Sequence, residues 1–125
     1  MLKLVRDKKI KIALIGASND NSKFGYKIYK NLLSKGYDVT PINPKEILID
    51  GVRSIKNTKL MKSRPDIINF VIPPKVALEE TKKLEDNGYN NFWFQPGSES
   101  SELINYLETT NSDYLVNECI MVETN

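Results

Sequence analysis

Short apolar runs that alternate with helix-patterned segments constrain the fold of this chain more than any other feature of its sequence. The first run, residues 12–15, is continuously apolar and stops at Gly16, which is typical of a strand buried on both faces of a parallel sheet. The same pattern predicts further strands at 37–44, 66–72, 91–94 and 114–116. The second strand cannot continue past Pro44, because proline has no N–H to donate to the ladder.

The segments between these strands have helical patterns. Phe24, Ile28 and Leu32 recur every four residues before Gly36, which is a typical helix stop. Two further helices are predicted at 73–88 and 98–109. A small strand or turn, followed by a short helix, is predicted within residues 46–65. Strands separated by such helices imply right-handed crossovers and a sheet covered on both faces. The sequence therefore predicts a three-layer, Rossmann-like α/β fold with a mostly parallel five-stranded sheet.

The chain has the size and composition of a single globular domain. Its 125 residues can bury roughly two-thirds of the unfolded surface. Hydrophobic residues make up 40% and charged residues 27%, and no repeat or linker divides the sequence. We expect one domain over residues 1–125, with residues 1–8 as a helical N-terminal extension.

Charge and hydropathy narrow the classes of partner. The net charge is +2 and the lysines are scattered, which argues against nucleic acid, since DNA-binding proteins concentrate basic residues on one face. No apolar run is long enough to span a bilayer, and the N-terminus lacks the pattern of a signal peptide. The single cysteine, Cys119, cannot form an internal disulfide. We expect a cytoplasmic protein that binds a small molecule and has no membrane partner. The sequence does not indicate whether it has a protein partner.

The sequence contains no histidine. This excludes Ser–His–Asp and Cys–His catalysis and any metal site built on imidazole. We therefore predict no catalytic residues and no metal ligands.

Ligands of open parallel sheets bind beyond the carboxyl ends of the strands, where the strand order reverses. Four loops are expected to gather there, at residues 16–25, 43–46, 72–75 and 95–98. In the first of them, small residues allow close backbone approach and polar side chains follow, at the start of a helix whose N–H groups favour a phosphate. The residues expected to contact the phosphate are Gly16, Ala17, Ser18, Asn19 and Lys23. Ser22 is predicted to cap the helix, and the G-x-G-x-x-G spacing of a dinucleotide site is absent.

The second loop, Asn43–Pro44–Lys45, distinguishes between nucleotides. NAD-binding domains place an acidic residue after the second strand to bind the ribose hydroxyls, and this chain has Lys45 there. A lysine suits an additional phosphate, which both coenzyme A and NADP carry.

The other two loops supply a rigid apolar turn and an amide. Pro73 and Pro74 follow the third strand and offer a flat wall to an adenine or a pantetheine chain. Gln95 can donate and accept hydrogen bonds, and Ser98 is predicted to cap the next helix.

Taken in order, these segments resemble the small CoA-binding proteins related to the nucleotide-binding domain of succinyl-CoA synthetase alpha subunits. The matching stretches are "IALIGAS", "GYKIYKNLLSKGYDVTPINPK", "DIINFVIPP", "FWFQPGSES" and "NECIMVE", within residues 8 to 123. The resemblance implies that the pyrophosphate contacts Ala17, Ser18, Asn19 and Lys23, and that the adenosine end contacts Asn43, Pro44 and Lys45. It also implies that the adenine or ribose contacts Ile72, Pro73 and Pro74, and that the pantetheine contacts Gln95 and Pro96. This chain departs from the family at Asn21 and Lys23, where proline and arginine are common, and at Ile72–Pro73, where paired arginines are common.

The functional prediction is non-catalytic binding of coenzyme A or acyl-CoA. A complete synthetase is excluded by size and by the missing histidine. Two alternatives stay open: an NADP- or NAD-binding oxidoreductase fragment, and a protein-interaction module that has lost its ligand. The resemblance also places Cys119 near the cleft, where a mixed disulfide with the CoA thiol is a hypothesis.

Overall fold

A computed structural model describes every residue of the chain, 1–125. It contains seven strands and four α-helices, with single turns of 3-10 helix at Leu4–Arg6 and Thr58–Leu60. The strands are β1 (Lys11–Ile15), β2 (Asp38–Ile42), β3 (Leu48–Ile49), β4 (Val52–Arg53), β5 (Ile67–Phe70), β6 (Asn91–Phe94) and β7 (Asp113–Leu115). The helices are α1 (Phe24–Ser34), α2 (Pro74–Asp86), α3 (Ser101–Leu107) and α4 (Ile120–Glu123).

Five strands form one sheet in the order β2-β1-β5-β6-β7, and every pair in it is parallel. The chain moves from β1 to β2 in one direction and then crosses to β5 on the other side of β1. The strand order therefore reverses between β1 and β5, which is where such sheets bind ligands. The predicted fold class is confirmed.

Two apolar clusters cover the two faces of the sheet. One joins side chains of β1 and β6 to α1 and α4, and it includes Trp93, which is fully buried. The other joins the alternate side chains to α2 and α3, and Phe70 and Phe94 stack in it with ring centroids 4.6 Å apart. Phe92 is fully buried as well, on the opposite face from Trp93. None of the helices has both the length and the hydrophobicity that a membrane-spanning helix needs.

Both predicted helix caps are wrong. Ser22 donates its hydroxyl to Asp20 Oδ1 at 2.6 Å, and Lys23 occupies the cap position of α1 without a side-chain bond. Ser98 lies too far from the first residue of α3 to cap it, and Ser100 does so by accepting the Leu103 N–H at 3.1 Å.

The connection from β2 to β5 contains no α-helix. Its residues form the β3–β4 hairpin, which turns at Gly51, and then the 3-10 turn at Thr58–Leu60. The hairpin packs with α1, whereas the residues after it, from Ile55 to Met61, lie on the face that α2 and α3 also cover, as a right-handed crossover requires. Because the connection is thin, it leaves a groove between itself and α2.

Candidate functional site

This groove is a cavity of about 620 Å³ at the carboxyl ends of β1 and β2. Its volume lies in the range of small-molecule and cofactor sites. The cavity is lined by apolar side chains from the strand ends, from α2 and from the turn that follows α2. These are Ile15, Ile42, Ile72, Val76, Leu84 and Tyr89. Polar side chains of the β2–β5 connection and of α2 border it.

The first two predicted loops are hydrogen-bonded to each other. The backbone N–H groups of Gly16 and Ala17 donate to the Ile42 carbonyl oxygen, at 3.1 and 3.3 Å. The Asn43 side-chain amide donates to the Ala17 carbonyl oxygen at 3.0 Å, and its Oδ1 accepts the Lys45 N–H at 2.9 Å. Asn43 therefore holds both loops in position and also lines the cavity.

The first loop also packs tightly against the third loop. Gly16 has φ of 104°, and a Cβ at this position would overlap the Val71 carbonyl oxygen. Gly25, in the first turn of α1, is equally constrained, because its Cβ would overlap the Gly16 carbonyl oxygen. We predicted that Gly16 allows a ligand to approach the backbone closely. The structure shows that the neighbouring backbone already requires a glycine there.

The third and fourth loops are joined as well. The Ile72 N–H donates to Ser98 Oγ at 3.1 Å, and the Gln95 N–H donates to the Phe70 carbonyl oxygen at 3.0 Å. All four loops therefore lie side by side along one rim of the sheet, as the sequence predicted. Of the thirteen predicted contact residues, those that line the cavity are Gly16, Asn43, Pro44 and Ile72.

Several polar groups of the first loop already have partners within the protein. Ser18 Oγ accepts the Asp20 N–H at 3.0 Å, and Asn19 Oδ1 accepts the Asp50 N–H at 3.1 Å. The Asp20 carboxylate accepts both the hydroxyl and the N–H of Ser22, and these hydrogen bonds lower the pKa of Asp20. The loop thus carries a fixed negative charge beside the exposed Lys23.

Asp50 anchors the β3–β4 hairpin to α1. Its carboxylate accepts the Tyr26 hydroxyl at 2.8 Å and lies 2.9 Å from Lys30 Nζ. Hydrogen bonding from Lys30, and then from Tyr26, lowers the pKa of Asp50. Through its N–H, Asp50 also holds Asn19, so the hairpin supports the conformation of the first loop.

Gln95 is buried, with 4% of its surface exposed, and its amide binds protein groups. Its Oε1 accepts the Ile120 N–H at 2.9 Å and the Asn69 amide at 3.2 Å. Its Nε2 lies 3.4 Å from the Cys119 sulfur. Gln95 therefore positions the start of α4 and the half-exposed Cys119; the mixed disulfide stays a prediction.

The other predicted residues lie around the rim. Lys45 and Pro96 are exposed, and Pro73 and Pro74 form the start of α2. No group of three or more Cys, Asp or Glu side chains is arranged to hold a metal ion.

Sequence reasoning missed the residues that form the long side of the cavity. Lys56, Thr58 and Lys59 border it from the β2–β5 connection. Val76, Glu80, Lys83 and Asn87 border it from α2 and its C-cap, and they recur at helical spacing. That spacing defines one face of a helix, but the sequence does not indicate what this face borders.

An open parallel sheet, with loops and a cavity where its strand order reverses, defines a Rossmann-like ligand-binding domain. The chain belongs to the CoA binding domain family, whose model matches residues 10–125. This confirms the resemblance found in the sequence.

Relatives of two kinds match the chain. It is 42% identical, over 78 residues, to the alpha subunit of the ADP-forming acetate–CoA ligase II of Pyrococcus furiosus, covering 62% of this chain but 17% of that subunit. It is 22% identical over 121 residues to the uncharacterized protein YneT of Bacillus subtilis, covering 97% and 90%. The chain thus spans a small part of the ligase and nearly all of YneT.

Solved structures have the same fold. A conserved hypothetical protein from Pyrococcus furiosus has a TM-score of 0.86 at 43% identity, covering 92% of this chain and 99% of that one. A hypothetical protein from Pyrococcus horikoshii has a TM-score of 0.83 at 27% identity, covering 98% and 86%.

Proposed function

We propose that this chain binds coenzyme A or an acyl-CoA at the rim of the sheet and has no catalytic step of its own. The observation that carries this proposal is the cavity itself, at the strand-order reversal of a CoA binding domain. Its apolar lining suits an adenine ring, and the lysines at its border suit phosphate groups.

The ligand is proposed to run along the four loops in order. Its pyrophosphate faces Ser18 and Lys23, where the first turn of α1 leaves N–H groups without intrahelical acceptors. The adenosine occupies the cavity, and the pantetheine extends towards the fourth loop. The adenosine is proposed to contact Asn43, Pro44 and Ile72 in the cavity and Lys45, Pro73 and Pro74 on the rim beside it. The pantetheine is proposed to contact Gln95 and Pro96.

Coenzyme A fits this rim better than NAD. The residue after Asn43–Pro44 is Lys45, whereas a ribose diol is usually bound by an acidic side chain. The first loop also lacks the glycine spacing of a dinucleotide site. NADP shares the additional phosphate, so it is the competitor that an experiment must separate.

A role without catalysis is supported by the side chains at hand. The chain has no histidine, and the side chains around the cavity include no nucleophile paired with a base. Its chemistry there is limited to binding: apolar contact, amide hydrogen bonds and lysine charge.

Isothermal titration calorimetry of the purified chain with coenzyme A, NADP and NAD tests the proposal. We expect saturable one-to-one binding of coenzyme A and weaker binding of both dinucleotides. Mass spectrometry of heat-released, adenine-absorbing material identifies any ligand that copurifies. Preference for NADP would support an oxidoreductase fragment, and binding of none of the three would contradict a nucleotide-binding role.

A further inference from the structure

We propose that Lys56 and Lys59, on the β2–β5 connection, bind the 3′-phosphate of coenzyme A and thereby distinguish it from dephospho-CoA. This inference rests on the proposed function and assigns the phosphate to residues that the sequence did not indicate. Both lysines border the cavity, three residues apart on the segment that takes the place of a crossover helix.

The backbone that carries these lysines is fixed at the second loop. The Asn43 N–H donates to the Ile55 carbonyl oxygen at 2.9 Å, and the Ile55 N–H donates to the Pro41 carbonyl oxygen at 3.1 Å. Asn57 Oδ1 then accepts the Lys59 N–H at 3.0 Å and caps the 3-10 turn. The segment from 55 to 59 is therefore held beside the end of β2, where the adenosine end of the ligand is proposed to lie.

The charges around the cavity leave these two lysines available. Lys83, on α2, lies 3.7 Å from Glu80, the cavity's single carboxylate. Lys56 Nζ lies 3.5 Å from Glu46, in a solvent-exposed pair of the kind that contributes little. Lys59 has no carboxylate within salt-bridge distance. A phosphate monoester is close to a dianion at neutral pH, so two adjacent ammonium groups match its charge.

Thr58 gives the same site a neutral donor. It lies between the two lysines, borders the cavity and has only 5% of its surface exposed. Its hydroxyl forms no hydrogen bond with another group of the protein, whereas the hydroxyl of the other buried threonine on a helix, Thr81, donates to the Ala77 carbonyl oxygen at 2.6 Å. A nearly buried hydroxyl that borders a cavity can donate to a phosphate oxygen.

Calorimetry with coenzyme A and dephospho-CoA tests the assignment in four chains: the wild type, Lys56→Gln/Lys59→Gln, Lys45→Gln and Lys62→Gln. Lys45 is the phosphate contact that the sequence favours, and its side chain lies outside the cavity lining. Lys62 is exposed on the same connection and also lies outside this cavity, so it controls for loss of positive charge.

We expect the wild type to prefer coenzyme A by about tenfold to a hundredfold, the range expected for hydrogen bonds to charged groups. The double variant should bind both ligands equally, with its affinity for dephospho-CoA unchanged. Lys62→Gln should keep both affinities. Lys45→Gln should weaken both ligands by the same factor, because it removes a proposed adenosine contact, and should therefore keep the preference. Thr58→Val should reduce the preference without changing the binding of dephospho-CoA.

Loss of the preference in Lys45→Gln, with the preference kept in the double variant, would overturn this assignment and leave the proposed function standing. Equal binding of the two ligands by the wild type would do the same. Failure of both ligands to bind the folded wild type would overturn the proposed function together with the assignment.

Discussion

The side-chain amide of Asn43 donates a hydrogen bond to the backbone carbonyl oxygen of Ala17, joining two loops whose residues are 26 positions apart. The same side chain accepts the Lys45 N–H through its oxygen. One amide thus sets the separation of the first and second loops at the mouth of the cavity. The first two loops therefore hold each other in position before any ligand binds.

Asn43→Asp should destabilise the protein, because it places a carboxylate oxygen against the Ala17 carbonyl oxygen and leaves both without a donor. We expect a loss of about 1–3 kcal/mol in the free energy of unfolding near neutral pH. The carbonyl oxygen raises the pKa of the new carboxyl group, and its protonated form can donate again. The deficit measured by urea denaturation should therefore shrink as the pH falls towards about 4.

The control for this variant is Asn90→Asp, an exposed substitution whose side chain makes no hydrogen bond. It should stay within about 0.5 kcal/mol of the wild type. A pH-independent deficit in Asn43→Asp would contradict the role given to the amide donor.

Gly16→Ala and Gly97→Ala separate backbone strain from steric overlap. The two glycines have similar positive φ values, 104° and 97°. A Cβ at Gly16 would overlap the Val71 carbonyl oxygen, whereas a Cβ at Gly97 would meet nothing within 4 Å. Gly16→Ala should therefore cost about 1–3 kcal/mol more than Gly97→Ala in urea denaturation. Equal losses would show that the loop relaxes away from β5.

The contacts of Asp50 with Tyr26 and Lys30 should contribute stability that is lost at acid pH. Lys30 and Tyr26 lower the pKa of Asp50, so the ionised carboxylate is favoured in the folded state. A lowered folded pKa contributes stability above the unfolded pKa, and this contribution is lost as the pH falls through the folded pKa. The difference in Tm between wild type and Asp50→Asn should be largest near neutral pH and should shrink below about pH 4.

Two further measurements check the cause of this effect. Lys30→Gln should reduce the same pH dependence, because it removes the largest contribution to the lowered pKa. Added salt should weaken it in the wild type, since the groups are exposed to solvent. A constant Tm difference across the acid range would contradict this account.

Asp20 should weaken the binding of a pyrophosphate. Its carboxylate is fixed by Ser22 in the loop proposed to meet that group. Asp20→Asn removes the charge and keeps a side-chain oxygen as acceptor. We expect coenzyme A to bind about twofold to fivefold more tightly at low salt, with the gain lost at high salt. Asp7→Asn, at the opposite end of β1, should leave the affinity unchanged, and a gain there would indicate a general charge effect.

Part of the site was predictable because it depends on strand ends. The apolar run before Gly16 and the proline after Asn43 indicate where parallel strands stop, and parallel strands end at a common rim. Gln95 shows what such reasoning leaves out. Its position after a strand predicts ligand contact, but not that its buried amide also binds Ile120 and Asn69, which are distant in sequence.

The alternation of strands and helices, the Rossmann-like class and the family were predictable from local periodicity, turn residues and short motifs. Which polar side chains border the cavity depends instead on how the chain packs. Lys59 belongs to a connection without clear periodicity, and it faces α2 only because the right-handed crossover brings these segments to the same face of the sheet. Such neighbours depend on how distant segments pack, and no local pattern specifies them.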